Sequence, residues 1–345
     1  MTLTKLPTFT KSLTVKKAPA QGNPVYHDAV IEQKPIPALK RGEVLVKIGA
    51  AAFNHRDVWI RKGQYPRIAF GSVFGADGAG TVVAAYEPND PLLKQRVFLT
   101  PSRGWEKHPD GPESDFGILG GVSYPALGTF TEYVVVERDQ VISSPKHLND
   151  VQMAAWPLGA VTAWRASVVN GLVSSGQNVL ITGIGGGVAL LALQMCLAKG
   201  ASVYVTSGSQ DKIQKAIALG AKGGMRLLAL LKTHIHAEDW PARLDALLGK
   251  GRELDVVIDS GGGEIMMQTD KLLKHGGRST MGSHQDLIDA TDFMAEHRII
   301  PVISHVFEGL EAAEQGFETM KRGEQFGKIV VKIGSDTEGS VKAKL

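Results

Sequence analysis

Residues 178–200 read NVLITGIGGGVALLALQMCLAKG. An apolar strand is expected at 179–182. It runs into Gly183, Gly185, Gly186 and Gly187, and a helix is expected from Val188 to residue 199, stopped by Gly200. Glycine lets a backbone turn sharply and come close to a ligand. The helix start beyond it offers unpaired N–H groups and a positive dipole end, which suit a diphosphate. A second strand at 202–206 completes the context in which such glycines signify a dinucleotide site. Without that context the pattern is only a glycine-rich turn.

The chain has 345 residues, too many for one core of ordinary size, so two domains are expected. Hydrophobic residues make up 43% and charged residues 21%, as in an ordinary globular protein. The net charge of +3 comes with no long basic block, which argues against a nucleic-acid partner. The longest apolar stretch, 188–198, is too short to span a bilayer, so no membrane partner is expected. The first residues lack the apolar core of a secretory signal. They carry Lys, Ser and Thr with no acid before Asp28, which faintly resembles a mitochondrial presequence, although 13–17 also reads as a first strand. A cytoplasmic location is expected, with a mitochondrial one as the minor alternative. The single cysteine, Cys196, excludes internal disulfides and cysteine-rich metal sites.

Upstream of residue 150, short apolar runs broken by Gly and Pro suggest strands at 44–48, 80–84, 96–99 and 131–136, with a helix near 54–62. From 152 the pattern changes to helices at 151–155 and 160–169, then alternating strands and helices to about 298, the signature of a parallel α/β sheet. A strand at 302–306, a helix at 310–322 and a strand at 328–333 close the chain.

The motifs AAFNHRDVWIRKGQYP (51–66), GADGAGTVV (75–83), GTFTEYVVV (128–136), PLGAVTAW (157–164), ITGIGGGVALLALQ (181–194), LDVVIDSGGG (254–263) and QFGKIVVKI (325–333) follow one another along nearly the whole chain. In that order they resemble the medium-chain dehydrogenase/reductase superfamily, in particular its zinc-less alcohol dehydrogenase-like and quinone oxidoreductase-like branch. The resemblance implies an α/β fold: a GroES-like β domain beside a Rossmann doubly wound parallel sheet. It also implies domains at 1–155 (GroES-like), 156–298 (Rossmann) and 299–345 (return to the first).

In zinc enzymes of this superfamily a Cys, a His and a further Cys hold the metal. The positions that correspond by resemblance are Asn54, Ala76 and Leu158, and the lobe that carries a structural zinc is replaced by residues 101–127. Ala and Leu cannot coordinate a metal and an amide is a poor zinc ligand, so no metal site is expected. With no Lewis acid to polarise a carbonyl, hydride transfer favours an activated alkene or a quinone over a simple alcohol.

A free ribose 2′-hydroxyl is usually held by an acid about 20 residues past the glycines. Here Ser207 and Ser209 stand at that place, followed by Lys212, and these suit a 2′-phosphate. Asp211 reads as a charge opening the next helix, while Lys212 and Lys215 also fit a solvated helix face. NADP(H) is the expected cofactor. By resemblance, Thr162 lies near the nicotinamide, and Gly327 and Lys328 reach the cofactor side. The proton donor is open: Asn54 is placed to orient a substrate oxygen, His55 and Tyr65 are candidate donors, and Tyr124, like solvent, is another. Trp105, Phe116 and Tyr124 of 101–127 suit a flat apolar ligand, or pack that loop.

Two segments depart from the family pattern. Between the helices expected at 264–274 and 285–297 no apolar run of strand length remains, so a strand–helix segment of roughly two dozen residues is inferred to be missing near 278–279. The Leu/Ala-rich run at 225–235, where relatives carry a short strand, prefers a helix. Relatives commonly dimerise through the sheet edge thus affected, so a homodimer is in doubt. Two functions follow: an NADPH-dependent, zinc-independent oxidoreductase passing hydride to a small-molecule carbonyl, enone or quinone, or a non-catalytic, truncated member that binds nucleotide weakly and acts through protein contacts. A zinc alcohol dehydrogenase is third.

Overall fold

The computed structural model describes residues 6–19, 25–226, 244, 246–249, 253–259 and 281–334. The chain divides into two compact units: residues 1–158, 283–288 and 303–345, and residues 159–282 with 289–302.

In the first part of the chain the elements are β1 (Phe9–Lys16), β2 (Asp28–Pro35), β3 (Glu43–Ala52), α1 (His55–Arg61), β4 (Asp77–Ala85), β5 (Arg96–Leu99), β6 (Ser102–Arg103), β7 (Gly117–Ile118), β8 (Tyr133–Glu137), β9 (Val141–Ser143), α2 (Asp150–Ala154) and α3 (Pro157–Trp164). A π-helical stretch, Arg165–Asn170, follows α3. Then come β10 (Asn178–Ile181), α4 (Gly187–Ala198), β11 (Ser202–Ser207), α5 (Gln210–Ala218), β12 (Gly223–Arg226), β13 (Val256–Ile258) and α6 (His284–Glu296). The closing elements are β14 (Ile303–Glu308), α7 (Ala313–Arg322) and β15 (Lys328–Lys332).

The first unit is built on a seven-stranded sheet in the order β14-β15-β3-β4-β5-β9, with β8 also pairing β3. The last strand of the chain, β15, lies antiparallel against β3, Val330 opposite Ala52. On the other side of β3, Asp77 at the start of β4 is also opposite Ala52. The core is aliphatic along β3, where Val44, Val46 and Ile48 are fully enclosed, and aromatic at its far end. Helix α7 presents Ala313, Phe317 and Met320, one face of a helix, to that core. The ring of Phe317 meets Phe53 at 4.8 Å and Phe74 at 5.3 Å, and Phe53 meets Phe130 at 4.6 Å.

Among the described residues the second unit carries a four-stranded parallel sheet, order β12-β11-β10-β13. Val179, Leu180 and Ile181 are wholly buried, as expected of a parallel strand covered on both faces. Helix α4 is apolar nearly all round, and Ala189 to Leu193, Met195 and Cys196 are buried accordingly. Helix-bearing crossovers lead outward from β10 to β11 and β12, while β13 pairs on its other flank. The winding direction therefore reverses at β10, and ligands of such sheets sit outside the carboxyl ends at that point.

Most expected elements lie within a residue or two of their observed bounds, and the strand at 96–99 is β5. The helical reading of 225–235 fails at its start. Met225 and Arg226 end β12, paired in parallel with Thr206 and Ser207, and Met225 is buried. Sheet pairing and burial outweigh the helix preference of the run. Residues 227–235, the helix expected at 264–274 and the gap inferred near 278–279 lie outside the described residues.

The aromatic cluster fixes α7 to the first unit. Phe317→Ala is expected to lower the stability of that unit by about 3–5 kcal/mol, read as a shift of the urea midpoint followed by near-ultraviolet circular dichroism. A loss below about 1 kcal/mol would contradict the packing described.

Candidate functional site

The turn after β10 is shaped by two left-handed glycines, Gly183 (φ 65°) and Gly185 (φ 122°). Its position is fixed from β11, whose Thr206 carbonyl accepts from the Ile184 N–H at 2.8 Å. Gly186 is the N-cap of α4 and provides no side-chain acceptor for the first N–H groups, which begin at Gly187 and Val188. A Cβ on Gly185 would stand 2.7 Å from the Lys212 side chain, so only glycine admits the lysine stem across this turn. Burial holds the Lys212 pKa below its ordinary value, with the Lys215 charge acting in the same direction. Bare N–H groups at a helix start beside an ammonium fit a diphosphate.

At the ends of β11 and β12, the Ser209 N–H donates to the Ser207 hydroxyl at 3.2 Å. The Ser209 hydroxyl accepts from the Lys212 N–H at 3.4 Å as the N-cap of α5. Asp211 pairs with Lys215 at 2.8 Å on the exposed face of α5. Asp211 and Lys215 therefore form the solvated helix face, and Lys212 stands apart from it. Arg226, in register with Ser207, donates through Nε to the Gly208 carbonyl at 3.3 Å. Sequence reasoning missed this cation, because a helical reading of 225–235 gives no reason to place Arg226 beside Ser207. Thr162, on α3, donates its hydroxyl to Met281 Sδ at 3.1 Å.

The first unit holds a second polar centre, where three strand ends converge. Asn54 follows β3, Asp77 opens β4, and Lys328 opens β15 after Gly327. The Phe53 N–H donates to the Ile329 carbonyl at 2.9 Å and brings Asn54 beside Lys328. The Lys328 ammonium donates to Asn54 Oδ1 at 2.7 Å and to Asp77 Oδ2 at 2.8 Å. Asn54 Nδ2 donates to the same Asp77 oxygen at 2.8 Å. Asp77 Oδ1 accepts from the Leu158 N–H at 2.7 Å. Asp77 is fully enclosed and Lys328 is 5% exposed. Asp77 was not singled out from sequence, although it adjoins Ala76 in GADGAG.

These residues do not fit a zinc ion. Ala76 and Leu158 bring no donor side chain, and the Asn54 oxygen already accepts from a cation. Among the described residues, no three His, Cys, Asp or Glu side chains are grouped so as to hold a metal.

The remaining candidates lie outside this triangle. His55 opens α1, its ring 6.2 Å from that of Trp59. Burial of the ring, helped by the Lys62 charge, holds its pKa below the ordinary histidine value. The Arg56 guanidinium covers the Tyr65 ring at 4.5 Å. Trp105 and Phe116 pack edge to face within the 101–127 loop, and Trp105 Nε1 donates to the His108 carbonyl at 2.7 Å. That loop borders an open cleft of about 440 Å³ whose lining mixes Glu43, Arg103, Glu113 and Glu137 with Tyr124, Leu127 and Val135. Among the described residues, no helix is long and apolar enough to cross a membrane.

Asp57, on α1, is fully buried. One carboxylate oxygen accepts the Asn54 N–H at 2.8 Å and the other has no hydrogen-bond partner among the described residues. Burial pushes its pKa up to about 6, against the opposing effects of Arg56, the Asn54 N–H and Lys328.

A family model described as the alcohol dehydrogenase GroES-like domain matches residues 40–146, and one described as zinc-binding dehydrogenase matches 187–306. A zinc-type alcohol dehydrogenase-like protein of Leptosphaeria maculans is 37% identical, covering 93% of this chain and 99% of its own. That alignment spans 361 positions, more than this chain has residues, so some have no counterpart here. An NADPH-dependent alkenal/one oxidoreductase of Arabidopsis thaliana is 27% identical over 86% of this chain and 73% of its own. A solved structure of an NAD-dependent alcohol dehydrogenase matches with a TM-score of 0.79 at 29% identity, over 94% of this chain and 100% of that one.

Two outcomes follow from the first unit. Lys328→Met leaves Asp77 buried without its cation and is expected to cost about 3–5 kcal/mol in urea unfolding. Adding Asp77→Asn, which removes the orphaned charge, is expected to recover most of that loss; no recovery would contradict the pairing. Asp57 holds its proton to a higher pH folded than unfolded. The stability this contributes is complete below the ordinary carboxylate pKa and is lost as pH rises through about 6, by up to about 3 kcal/mol. Asp57→Asn has no such proton, so its stability relative to the parent should rise between about pH 4 and pH 7. Parallel stability curves would refute the assignment.

Proposed function

The chain belongs to the medium-chain dehydrogenase/reductase superfamily of oxidoreductases, and we propose that it is an NADPH-dependent, zinc-independent reductase of conjugated carbonyl or quinone compounds. The carrying observation is the turn from Gly183 to Gly187, at the winding reversal of a parallel sheet, with an uncapped helix start behind it. A reduced nicotinamide nucleotide, when bound, supplies the hydride. In this reading Gly185, Gly186, Gly187 and Val188 give main-chain N–H groups to its diphosphate, and Lys212 adds a charge across the turn. Thr162, Gly327 and Lys328 are assigned to the cofactor side by resemblance, and Lys328 is held in place by its bonds to Asn54 and Asp77.

The preference for NADPH over NADH is supported by what stands at the end of β11. Ser207 and Ser209 offer hydroxyl donors, and Arg226 brings a guanidinium level with Ser207. A 2′-phosphate suits these groups, and no carboxylate is among them. The Arabidopsis relative, by its name, uses NADPH, whereas the matched alcohol dehydrogenase structure uses NAD. The reduction of a conjugated system is supported by donors that do not fit a metal, because a quinone or enone accepts hydride without strong Lewis-acid polarisation. The second reading is a non-catalytic, truncated member that binds nucleotide weakly and acts through protein contacts, and the Leptosphaeria relative does have positions with no counterpart here.

Titration of protein fluorescence with NADPH and NADH, followed by a screen of NADPH oxidation with quinones and enones, separates these readings. NADPH is expected to bind at least about 10-fold tighter than NADH, and Arg226→Ala to remove most of that preference by weakening NADPH about 10- to 100-fold. Binding of neither nucleotide at millimolar concentration would overturn the proposal. Weak NADPH binding with no turnover on any acceptor would favour the non-catalytic reading.

A further inference from the structure

We propose that the outer edge of β8 is a docking strip for an extended peptide segment of a partner protein, one that carries an apolar and a basic side chain four positions apart. The strip lies wholly in the first unit. It uses neither the glycine turn nor the Lys328 triangle, so it stands apart from the reductase reading.

β8 has one ladder, to β3. The phase of that ladder follows from its two ends. The Ile48 N–H donates to the Glu132 carbonyl at 2.9 Å, and the Arg138 N–H to the Gly42 carbonyl at 2.8 Å. Between them Val134 faces Val46 and Val136 faces Val44, so these pairs carry the ladder bonds. The main-chain groups of Tyr133, Val135 and Glu137 turn to the other side. At Tyr133 that side is occupied: its N–H donates to the Thr10 hydroxyl at 2.9 Å, and its carbonyl accepts from the Thr131 hydroxyl at 3.1 Å. Val135 lies past the start of β1, and no partner for its N–H or carbonyl is found among the described residues.

Two clefts meet at Val135, and Ala126 and Leu127 wall both. The smaller, about 190 Å³, runs beside Tyr133 and has Ile36, Val73, Leu127 and Val134 in its wall. The larger, about 440 Å³, carries Glu43, Glu106, Glu113 and Glu137 around Arg103. Arg103 is itself tied to Glu137 at 2.8 Å, so negative charge is in excess there. An extended segment laid against β8 gives Val135 its two missing hydrogen bonds. Side chains on one face of that segment fall every second residue, about 7 Å apart. One then enters the apolar cleft beside Tyr133, and another, four positions along, meets the glutamates beside Glu137. Main-chain bonds supply the affinity and the clefts supply the choice of sequence. A second copy of this chain suits the strip poorly, because two β8 edges laid together bring Glu43 and Glu137 against like charges.

The test uses the full chain and two capped, fluorescein-labelled peptides, GGLTVTRGG and its reversal GGRTVTLGG, which cover both strand directions. Binding is followed by fluorescence anisotropy, and hydrogen exchange of the Val135 amide is followed by NMR. One peptide is expected to bind with a Kd of about 10–100 μM and to slow exchange at Val135 at least about 10-fold. N-methylation of its Thr-Val-Thr core, or Glu in place of its Arg, is expected to weaken binding at least about 10-fold. Glu43→Gln/Glu137→Gln is expected to weaken the parent peptide about 3- to 10-fold and to leave NADPH binding unchanged. Binding of neither peptide at about 1 mM would overturn the proposal. So would equal binding of the N-methylated or Glu-bearing peptide. Slow exchange at Val135 in the free protein at every concentration would place a segment of the chain itself on the edge, and exchange that slows with protein concentration would place a second copy there; either result also overturns it.

Discussion

The buried ion pair between Asp77 and Lys328 organises the first unit. Its members are separated by 251 positions in sequence and 2.8 Å in space. Asp77 has no exposure, so each of its oxygens requires a donor, and the chain provides an ammonium, an amide and a main-chain N–H. Satisfying them fixes three strand ends at one point: β3 through Asn54, β4 through Asp77 itself and β15 through Lys328. The aromatic contacts of α7 with Phe53 and Phe74 bind the same closing segment of the chain to the same core. The C-terminal segment thus belongs to the first unit for two independent reasons, one electrostatic and one of packing.

The second unit solves a different problem. Its strand β10 is apolar and buried throughout Val179, Leu180 and Ile181, and a parallel sheet leaves backbone groups bare at strand ends and helix starts. Left-handed glycines place one such start where the winding of the sheet reverses. Lys212 on α5 and Arg226 at the end of β12 are both oriented by the local backbone: Lys212 by the absence of a side chain on Gly185, Arg226 by the Gly208 carbonyl. Both cations are therefore placed by the same sheet geometry.

Much of this was legible in the sequence, and the reasons differ by residue. The strand, glycine turn and helix at 178–200 are local, and local pattern reports them well. The family order of motifs carried the division of labour between a β-rich part and a parallel sheet. Asn54 was identified as a residue in place of a ligand. Its partner Asp77 was not, because nothing local marks a carboxylate as enclosed, and the bond of Asp77 to Lys328 was not foreseen, because a pairing across 251 positions leaves no periodic trace. Met225 and Arg226 illustrate the opposite failure. Leu and Ala downstream give the run a helical preference, yet β11 offers an unpaired edge, and the ladder to Thr206 and Ser207 prevails. Trp105 and Phe116, read either as contacts for a flat ligand or as packing of the loop, meet edge to face within it.

The central claim is that a lysine side chain, and not a metal ion, supplies the cation at the convergence of β3, β4 and β15. The most direct measurement is a crystal structure grown in the presence of zinc, with anomalous data collected on both sides of the zinc absorption edge. The account predicts Lys328 Nζ at its 2.7 and 2.8 Å contacts with Asn54 and Asp77 and no anomalous peak between them. A zinc peak coordinated by Asp77, with the lysine swung away, would contradict it.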